Sequence, residues 1–106
     1  VVDLAAHEAD PRVSAILWCG YPGQAGGVAI ADAVFGVTNM FGRLPMTWYR
    51  AAFAQEARLD DYAMRPNASR GYPGRTHRFY TGSPLYRFGH GLRYAVFAHE
   101  LSAEAE

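Results

Sequence analysis

Apolar positions in the first part of the chain form a strand-length run and a helix-length run, separated by a glycine-rich segment. Residues 13–19 are apolar on both faces, which predicts a central strand of a parallel sheet, with Cys19 as a buried free thiol. Residues 20–27 predict a turn, and residues 28–35, apolar nearly all round, predict a helix covered on most sides and capped by Gly36. This strand, turn and helix are the repeating unit of α/β domains.

Weaker patterns lie on both sides of this unit. Residues 3–9 predict a short helix that ends before the first proline, residues 43–49 a second strand, and residues 50–59 another short helix. Beyond them, glycines and prolines interrupt every regular pattern. The predicted fold class is therefore α/β: a partial α/β sandwich with an incomplete, mostly parallel sheet and flanking helices, followed by a long irregular loop region.

The chain has 106 residues, half of them hydrophobic, which is enough for one domain at most. A central strand needs a neighbour on each edge, and the sequence offers too few strand candidates to supply them. We therefore expect these residues to be part of a larger sheet, and the start at Val1 without a methionine or signal peptide agrees with that expectation. No apolar run approaches the roughly 18 residues of a membrane span, so no membrane partner is predicted.

Positive charge is concentrated in the second half of the chain. All ten basic residues are arginines, and residues 62–99 contain no acid. Arginine interleaved with aromatic residues is typical of a nucleic-acid surface, but it also suits a domain interface, where guanidinium groups stack on rings. Because the rest of the chain is neutral to acidic and lacks a nucleic-acid-binding motif, we favour the interface and predict no nucleic-acid partner. The six arginines within residues 62–99 are Arg65, Arg70, Arg75, Arg78, Arg87 and Arg93.

Few of the remaining residues are candidates for a cofactor, metal, catalytic or modification site. The glycines of segment 20–27 match neither the dinucleotide nor the P-loop spacing, and the four histidines are too scattered for a metal site, so no cofactor or metal is predicted. His90, between two glycines, is read as a packed or exposed loop residue, and Asp60 with Asp61 as a solvated turn. Asn67, followed by Ala68 and Ser69, matches the N-glycosylation acceptor pattern in a polar stretch.

Four segments, taken in order, resemble the C-terminal α/β domain of glycoside hydrolase family 3, and most closely its plant-type β-xylosidases and bifunctional β-xylosidase/α-arabinofuranosidases. The segments are AILW with GYPGQAGG (15–27), GRLPMTWY (42–49), RGYPGRTHRFY (70–80) and RFGHGLRY (87–94). The sequence departs from the family pattern at Met40 and Phe41, where proline and glycine are usual, and at His90 and Arg93. The resemblance implies that residues 1–97 are the C-terminal part of that domain and residues 98–106 a linker towards a fibronectin III-like domain.

The resemblance implies a retaining, exo-acting β-glycosidase that hydrolyses O-glycosyl bonds, as a β-1,4-xylosidase acting on xylan-derived oligosaccharides. In this family the nucleophilic aspartate lies on an N-terminal barrel domain and the acid/base glutamate lies earlier in the α/β domain. Neither matching motif is present, so no residue here is predicted to be catalytic, and the fragment alone is expected to be inactive. The alternatives are a non-catalytic carbohydrate-binding or interaction domain, and a nucleic-acid-binding module formed by residues 65–94.

The loop region would then contact the barrel domain or the rim of the active site. Its residues Tyr72, Arg75, His77, Arg78 and Tyr80 are the predicted substrate-binding or domain-interface residues. The implied partners are the N-terminal barrel domain of the same protein and an oligosaccharide substrate. A plant-type protein would be secreted to the cell wall or apoplast, or delivered to the vacuole, where a glycan on Asn67 is expected.

Overall fold

The computed structural model describes residues 2–39 and 41–101, and the regular structure among them is helical. It comprises α1 (Ala5–Glu8), α2 (Gly26–Val34), α3 (Phe53–Glu56), a 3₁₀ turn (Ala68–Arg70) and α4 (Thr76–Phe79). Three of these α-helices have four residues each, so α2 is the longest helix of the described part of the chain. No helix within residues 2–39 and 41–101 is long and apolar enough to cross a membrane.

Helix α2 ends in the cap that the sequence predicts. Gly36 has a φ of +72°, a left-handed conformation that glycine adopts without steric cost. The Gly36 N–H donates to Ala33 O at 3.2 Å and the Val37 N–H donates to Asp32 O at 2.9 Å. These two bonds form a Schellman motif, which satisfies carbonyl groups that the helix end would leave unpaired. The helix itself is confirmed, and it begins two residues before the predicted start.

The prediction that this helix is covered on most sides is wrong for this chain. Helix α2 has no buried residue, and Phe35, immediately after it, is 81% exposed. Tyr94 contacts the end of the helix, where its hydroxyl donates to Ala33 O at 3.0 Å, but the other described segments leave most of the apolar surface uncovered.

The predicted strand at residues 13–19 is also absent from the structure. These residues form no strand, and Ile16, Leu17 and Trp18 are each exposed over more than a third of their surface. Cys19, predicted to be a buried thiol, is exposed. The physical reason is that a strand exists only when another strand pairs with it, and no described segment offers residues 13–19 a ladder of hydrogen bonds.

The predicted second strand, residues 43–49, makes an antiparallel pairing where a mostly parallel sheet was expected. Trp48 forms an isolated antiparallel bridge with Tyr86. The Trp48 N–H donates to Tyr86 O, and the Leu44 N–H donates to His90 O, both at 2.8 Å. The parallel sheet of the predicted sandwich is thus not found among the described residues. The segment that pairs with residues 43–49 belongs to the loop region and runs antiparallel to them.

The buried core is small and lies in the second half of the chain. Phe53, Ala57 and Tyr72 are its buried hydrophobic residues, with Tyr49 and Tyr80 packed against them. The radius of gyration is 17.8 Å, whereas a compact domain of this length has about 13 Å. The chain is therefore more open than a self-sufficient domain. Of the predicted linker at 98–106, residues 102–106 lie outside the described residues, as does Met40.

Candidate functional site

Four aromatic side chains, here called the aromatic cluster, form the best-packed part of the molecule. Tyr49 stacks on Phe53 with ring centroids 3.8 Å apart, and Tyr80 meets both rings edge-on at 4.9 and 5.4 Å. Tyr72 is 4% exposed, and its hydroxyl donates to Ala63 O. Edge-to-face and offset contacts are the favoured arrangements of aromatic rings, so the cluster fixes the loop region in place without a sheet.

Arg75 attaches the preceding loop to this cluster. Its guanidinium carbon lies 5.6 Å from the centre of the Phe53 ring. Its Nη2 donates to Arg58 O at 2.5 Å and to Asp61 O at 3.1 Å, while its backbone N–H donates to Met64 O at 2.9 Å. Arg75 thus makes several contacts inside the chain, to which a planar guanidinium with five N–H donors is well suited.

The backbone around Arg75 is unusual. Gly74 has a φ of +84°, and a Cβ there would collide with Phe79 O and the backbone nitrogen of Pro66. Thr76 has a φ of +64°, which is rare for a β-branched residue, and its N–H donates to the Tyr49 hydroxyl at 2.6 Å. For a residue other than glycine, such as Thr76, this conformation costs about 1–3 kcal/mol, and residues in it are found preferentially at functional sites.

A cleft of about 370 Å³ opens beside the cluster, lined by Thr47, Thr76, His77, Tyr80, Arg87 and Phe88 among others. His77 stacks on Phe88 with ring centroids 4.3 Å apart. The Thr47 hydroxyl is buried and has no hydrogen-bond partner among the described residues. Burial raises the pKa of Tyr80, so its phenol keeps its proton at neutral pH. The cleft therefore offers hydroxyl groups, a guanidinium and aromatic faces.

A second cleft, of about 500 Å³, is lined by residues 84–90 and Glu8. Tyr86 stacks on His90 there, with centroids 4.9 Å apart. Burial is the main cause that raises the pKa of Tyr86, with the charge of Glu8 adding to it. His90 is therefore an exposed loop residue held against a ring, as the sequence predicts.

The structure separates the five predicted site residues. Tyr72, Arg75 and Tyr80 belong to the aromatic cluster or contact it, and His77 lines the cleft. Arg78 is exposed and does not line the cleft. Their predicted role in binding substrate or contacting another domain stays a prediction.

Sequence reasoning missed the partners that hold these residues. Tyr49, Phe53, Thr76 and Phe88 complete the cluster and the cleft, yet none was singled out as a site residue. Tyr49 and Phe53 are four residues apart, but Tyr49 lies before the start of α3, so a shared helix face does not signal their stacking. The contacts of Thr76 and Phe88 come from the tertiary fold and leave no local signal either.

The aspartates with perturbed titration are all held in the charged form. Arg58 pairs with Asp60 at 2.7 Å and lowers the pKa of Asp60. The pKa of Asp61 is lowered chiefly by the N–H of Ala63, which donates to it at 3.0 Å, and further by Arg70. Asp60 and Asp61 are thus separately paired with arginines. Within residues 2–39 and 41–101, no group of three or more His, Cys, Asp and Glu side chains could hold a metal ion.

Most arginines of the loop region are used within the chain. Arg65 lies over Phe79 at 4.8 Å, Arg70 over Tyr72 at 5.6 Å, and Arg93 over Phe97 at 4.8 Å. These contacts favour the packing interpretation of the arginine and aromatic stretch. These contacts do not test whether residues 65–94 bind nucleic acid.

Comparison with known proteins matches residues 1–94 to the family model described as the glycosyl hydrolase family 3 C-terminal domain. A relative from Medicago sativa subsp. varia, beta-xylosidase/alpha-L-arabinofuranosidase 2, is 46% identical over 94% of this chain. Probable beta-D-xylosidase 6 of Arabidopsis thaliana is 51% identical over the same share. The chain spans only 13% and 12% of the length of these two relatives.

Among solved structures, the chain is similar to a GH3 exo-beta-xylosidase, XlnD, determined in complex with a xylobiose aziridine activity-based probe. The TM-score is 0.84 and the identity 44%, over 90% of this chain and 12% of that one. The irregular arrangement of most of this chain is therefore a conformation that also occurs within a much longer protein.

Proposed function

This chain belongs to the glycosyl hydrolase family 3 C-terminal domain family, and from that membership we propose that it is the last part of an α/β domain in an exo-acting β-glycosidase. The proposed reaction is hydrolysis of O-glycosyl bonds in xylan-derived oligosaccharides. The observation that carries the proposal is identity of 46 and 51%, over nearly the whole chain, to relatives named as β-xylosidases.

The proposed mechanism is retaining, with both catalytic carboxyl groups outside these 106 residues. Such a mechanism needs one carboxylate as nucleophile and one carboxylic acid, of raised pKa, to protonate the leaving oxygen. The pKa values of Asp10, Asp60 and Asp61 are all lowered by hydrogen bonds, which is the opposite of what a general acid needs. This supports a role for the chain as scaffold and interface.

The scaffold role also accounts for the exposed apolar surface of residues 2–39, here called the first region. Ile16, Leu17, Trp18 and Phe35 are all exposed in this chain. Large apolar surfaces that face water in a soluble protein usually mark a contact with another chain or domain. We propose that the preceding part of the same α/β domain, and the N-terminal barrel domain beyond it, cover this surface in the parent protein.

Hydrolysis of an aryl β-xyloside tests the enzyme proposal. The full-length protein should release the aryl group at a higher kcat/KM from the β-xyloside than from the matching β-glucoside, while the 106-residue chain releases none. The matching α-arabinofuranoside, assayed in parallel, would reveal a bifunctional enzyme. Turnover by the 106-residue chain would contradict the placement of the carboxyl groups, and an inactive but folded full-length protein would contradict the glycosidase itself.

Tryptophan fluorescence tests whether the rest of the full-length protein covers the apolar surface that includes Trp18. The 106-residue chain has two tryptophans, so Trp48→Phe leaves Trp18 as its only emitter. Acrylamide should quench Trp18 efficiently in this chain, where it is exposed. In the full-length protein the emission of Trp18 is obtained as the difference between wild type and Trp18→Phe, and it should be quenched several-fold less. With the two variants exchanged, the same measurement reports Trp48, which is already half-buried here and should change less. Equal quenching of Trp18 in both proteins would show that its surface is not covered.

A further inference from the structure

Asn67 begins a small hairpin whose backbone is fixed. Its N–H donates to Tyr72 O at 2.8 Å, and the Tyr72 N–H donates to Asn67 O at 3.0 Å. The 3₁₀ turn Ala68–Arg70 joins the two residues, and Gly71 closes the loop with a φ of +65°. Tyr72 is buried in the aromatic cluster while Asn67 is exposed, so the hairpin displays Asn67 on the surface.

The side chains of the acceptor tripeptide are already in contact. The Ser69 hydroxyl donates a hydrogen bond to Asn67 Oδ1 at 2.7 Å. None of the hydrogen bonds found among the described residues uses Asn67 Nδ2. The hydroxyl therefore occupies the amide oxygen of an exposed residue, and the amide nitrogen is not used by these hydrogen bonds.

The surroundings have room for a large substituent on that nitrogen. Pro66, Ala68 and Ser69 are small and exposed. The one long side chain of the turn, Arg70, is drawn away to its ion pair with Asp61 and lies over the Tyr72 ring. A branched oligosaccharide on Asn67 would therefore extend into solvent without displacing the cluster.

We propose that Asn67 carries an N-linked glycan when the protein passes through a eukaryotic secretory pathway. The donor is an oligosaccharide linked to a lipid through a pyrophosphate. Asn67 Nδ2 forms a bond to the anomeric carbon, the bond from that carbon to the pyrophosphate oxygen breaks, and the lipid pyrophosphate leaves as Nδ2 gives up one proton. This modification is independent of the reaction that the parent protein catalyses.

The test is mass spectrometry of the full-length protein secreted from a eukaryotic host. Trypsin does not cleave before Pro66, so Asn67 is found in the peptide 59–70. Removal of the glycan by peptide N-glycosidase in ¹⁸O-labelled water should convert Asn67 to labelled aspartate in most molecules. Ser69→Ala and Asn67→Gln should each abolish the label, and Ser69→Thr should keep it, because threonine retains the hydroxyl.

Two results would overturn the proposal. One is an unlabelled Asn67 in most molecules of the secreted protein, although a control glycoprotein secreted by the same cells is fully labelled. The other is a label that persists in Ser69→Ala. Both readings come from secreted wild-type protein or from a surface substitution, so neither depends on the folding of a core variant. Xyloside hydrolysis by the same sample reports on the proposed function separately.

Discussion

The first region, residues 2–39, and the second region, residues 43–94, differ in whether their apolar side chains are buried within this chain. Residues 2–39 have the clearer apolar pattern and the longest helix, yet none of them is buried. Residues 43–94 have the weaker pattern and hold the whole buried core. The difference shows that an apolar pattern predicts how much surface a segment must bury, whereas only specific contacts determine whether that burial happens inside the same chain.

Phe53→Ala is the most damaging change we expect. Phe53 is 5% exposed, stacks on Tyr49 and lies under Arg75, so its loss leaves a cavity at the centre of the cluster. The free energy of unfolding should fall by about 3–5 kcal/mol in urea denaturation. In the 106-residue chain, the matched change Phe35→Ala in the first region should stay within about 0.5 kcal/mol.

The same pair of variants in the full-length protein sharpens the contrast between the regions. If the preceding part of the domain covers Phe35, Phe35→Ala should there cost about 2 kcal/mol or more. Phe53→Ala should cost much the same in both proteins. A negligible effect of Phe35→Ala in both would mean that the first region is an ordinary exposed surface.

Glycine substitutions compare the backbones of the two regions. Gly74→Ala places a Cβ against Phe79 O at a φ of +84°, which should lower the free energy of unfolding by about 3 kcal/mol. Gly27→Ala, inside α2 with open space at its Cβ, should raise it by up to about 1 kcal/mol. Thermal unfolding followed by circular dichroism measures both, and a harmless Gly74→Ala would show that the turn around Arg75 is not constrained.

Arg75→Ala separates packing from contact with substrate. It removes the hydrogen bonds to Arg58 O and Asp61 O, and should cost about 2 kcal/mol of stability. With the full-length protein kept folded at low temperature, the proposed hydrolysis of the xyloside should keep a kcat/KM near the wild-type value. The control Arg78→Ala, on an exposed side chain, should leave the melting temperature nearly unchanged. A large loss of kcat/KM at unchanged stability would instead make Arg75 a substrate contact.

The sequence could predict only the elements that are encoded locally. Helix α2 and its Gly36 cap follow from one apolar segment and one glycine, and α3 falls inside the predicted helix 50–59. Pairing of Trp48 with Tyr86 could not be predicted, since it joins residues far apart in a segment rich in glycine and proline. The candidate site was foreseen in part: the motif at 70–80 pointed to Tyr72, Arg75 and Tyr80, but the rings that hold them became visible only in three dimensions.

Acid unfolding gives the smallest expected effect and again distinguishes the regions. The folded pKa of Asp61 is lowered, first by the Ala63 N–H and then by Arg70, so the unfolded chain binds the proton more readily. Its contribution to stability is therefore complete above the unfolded pKa of about 4 and is lost as the pH falls towards the lower folded value. Asp61→Asn should flatten the fall of the urea midpoint between about pH 5 and pH 2.

The pair formed by Asp10 and Arg12, in the first region, supplies the matched control. Its partners are two residues apart, whereas Asp61 and Arg70 are nine apart. A local pair forms in part even in an unfolded chain, so its pKa shift differs less between the two states and contributes less to the pH dependence of folding. Asp61 also accepts from the nearby Ala63 N–H, so only its pair with Arg70 is long-range, and for that part of the shift Asp10→Asn should change the acid slope less than Asp61→Asn. Equal slopes for the two variants would show that the Arg70 pair adds nothing to the fold beyond what a local contact provides.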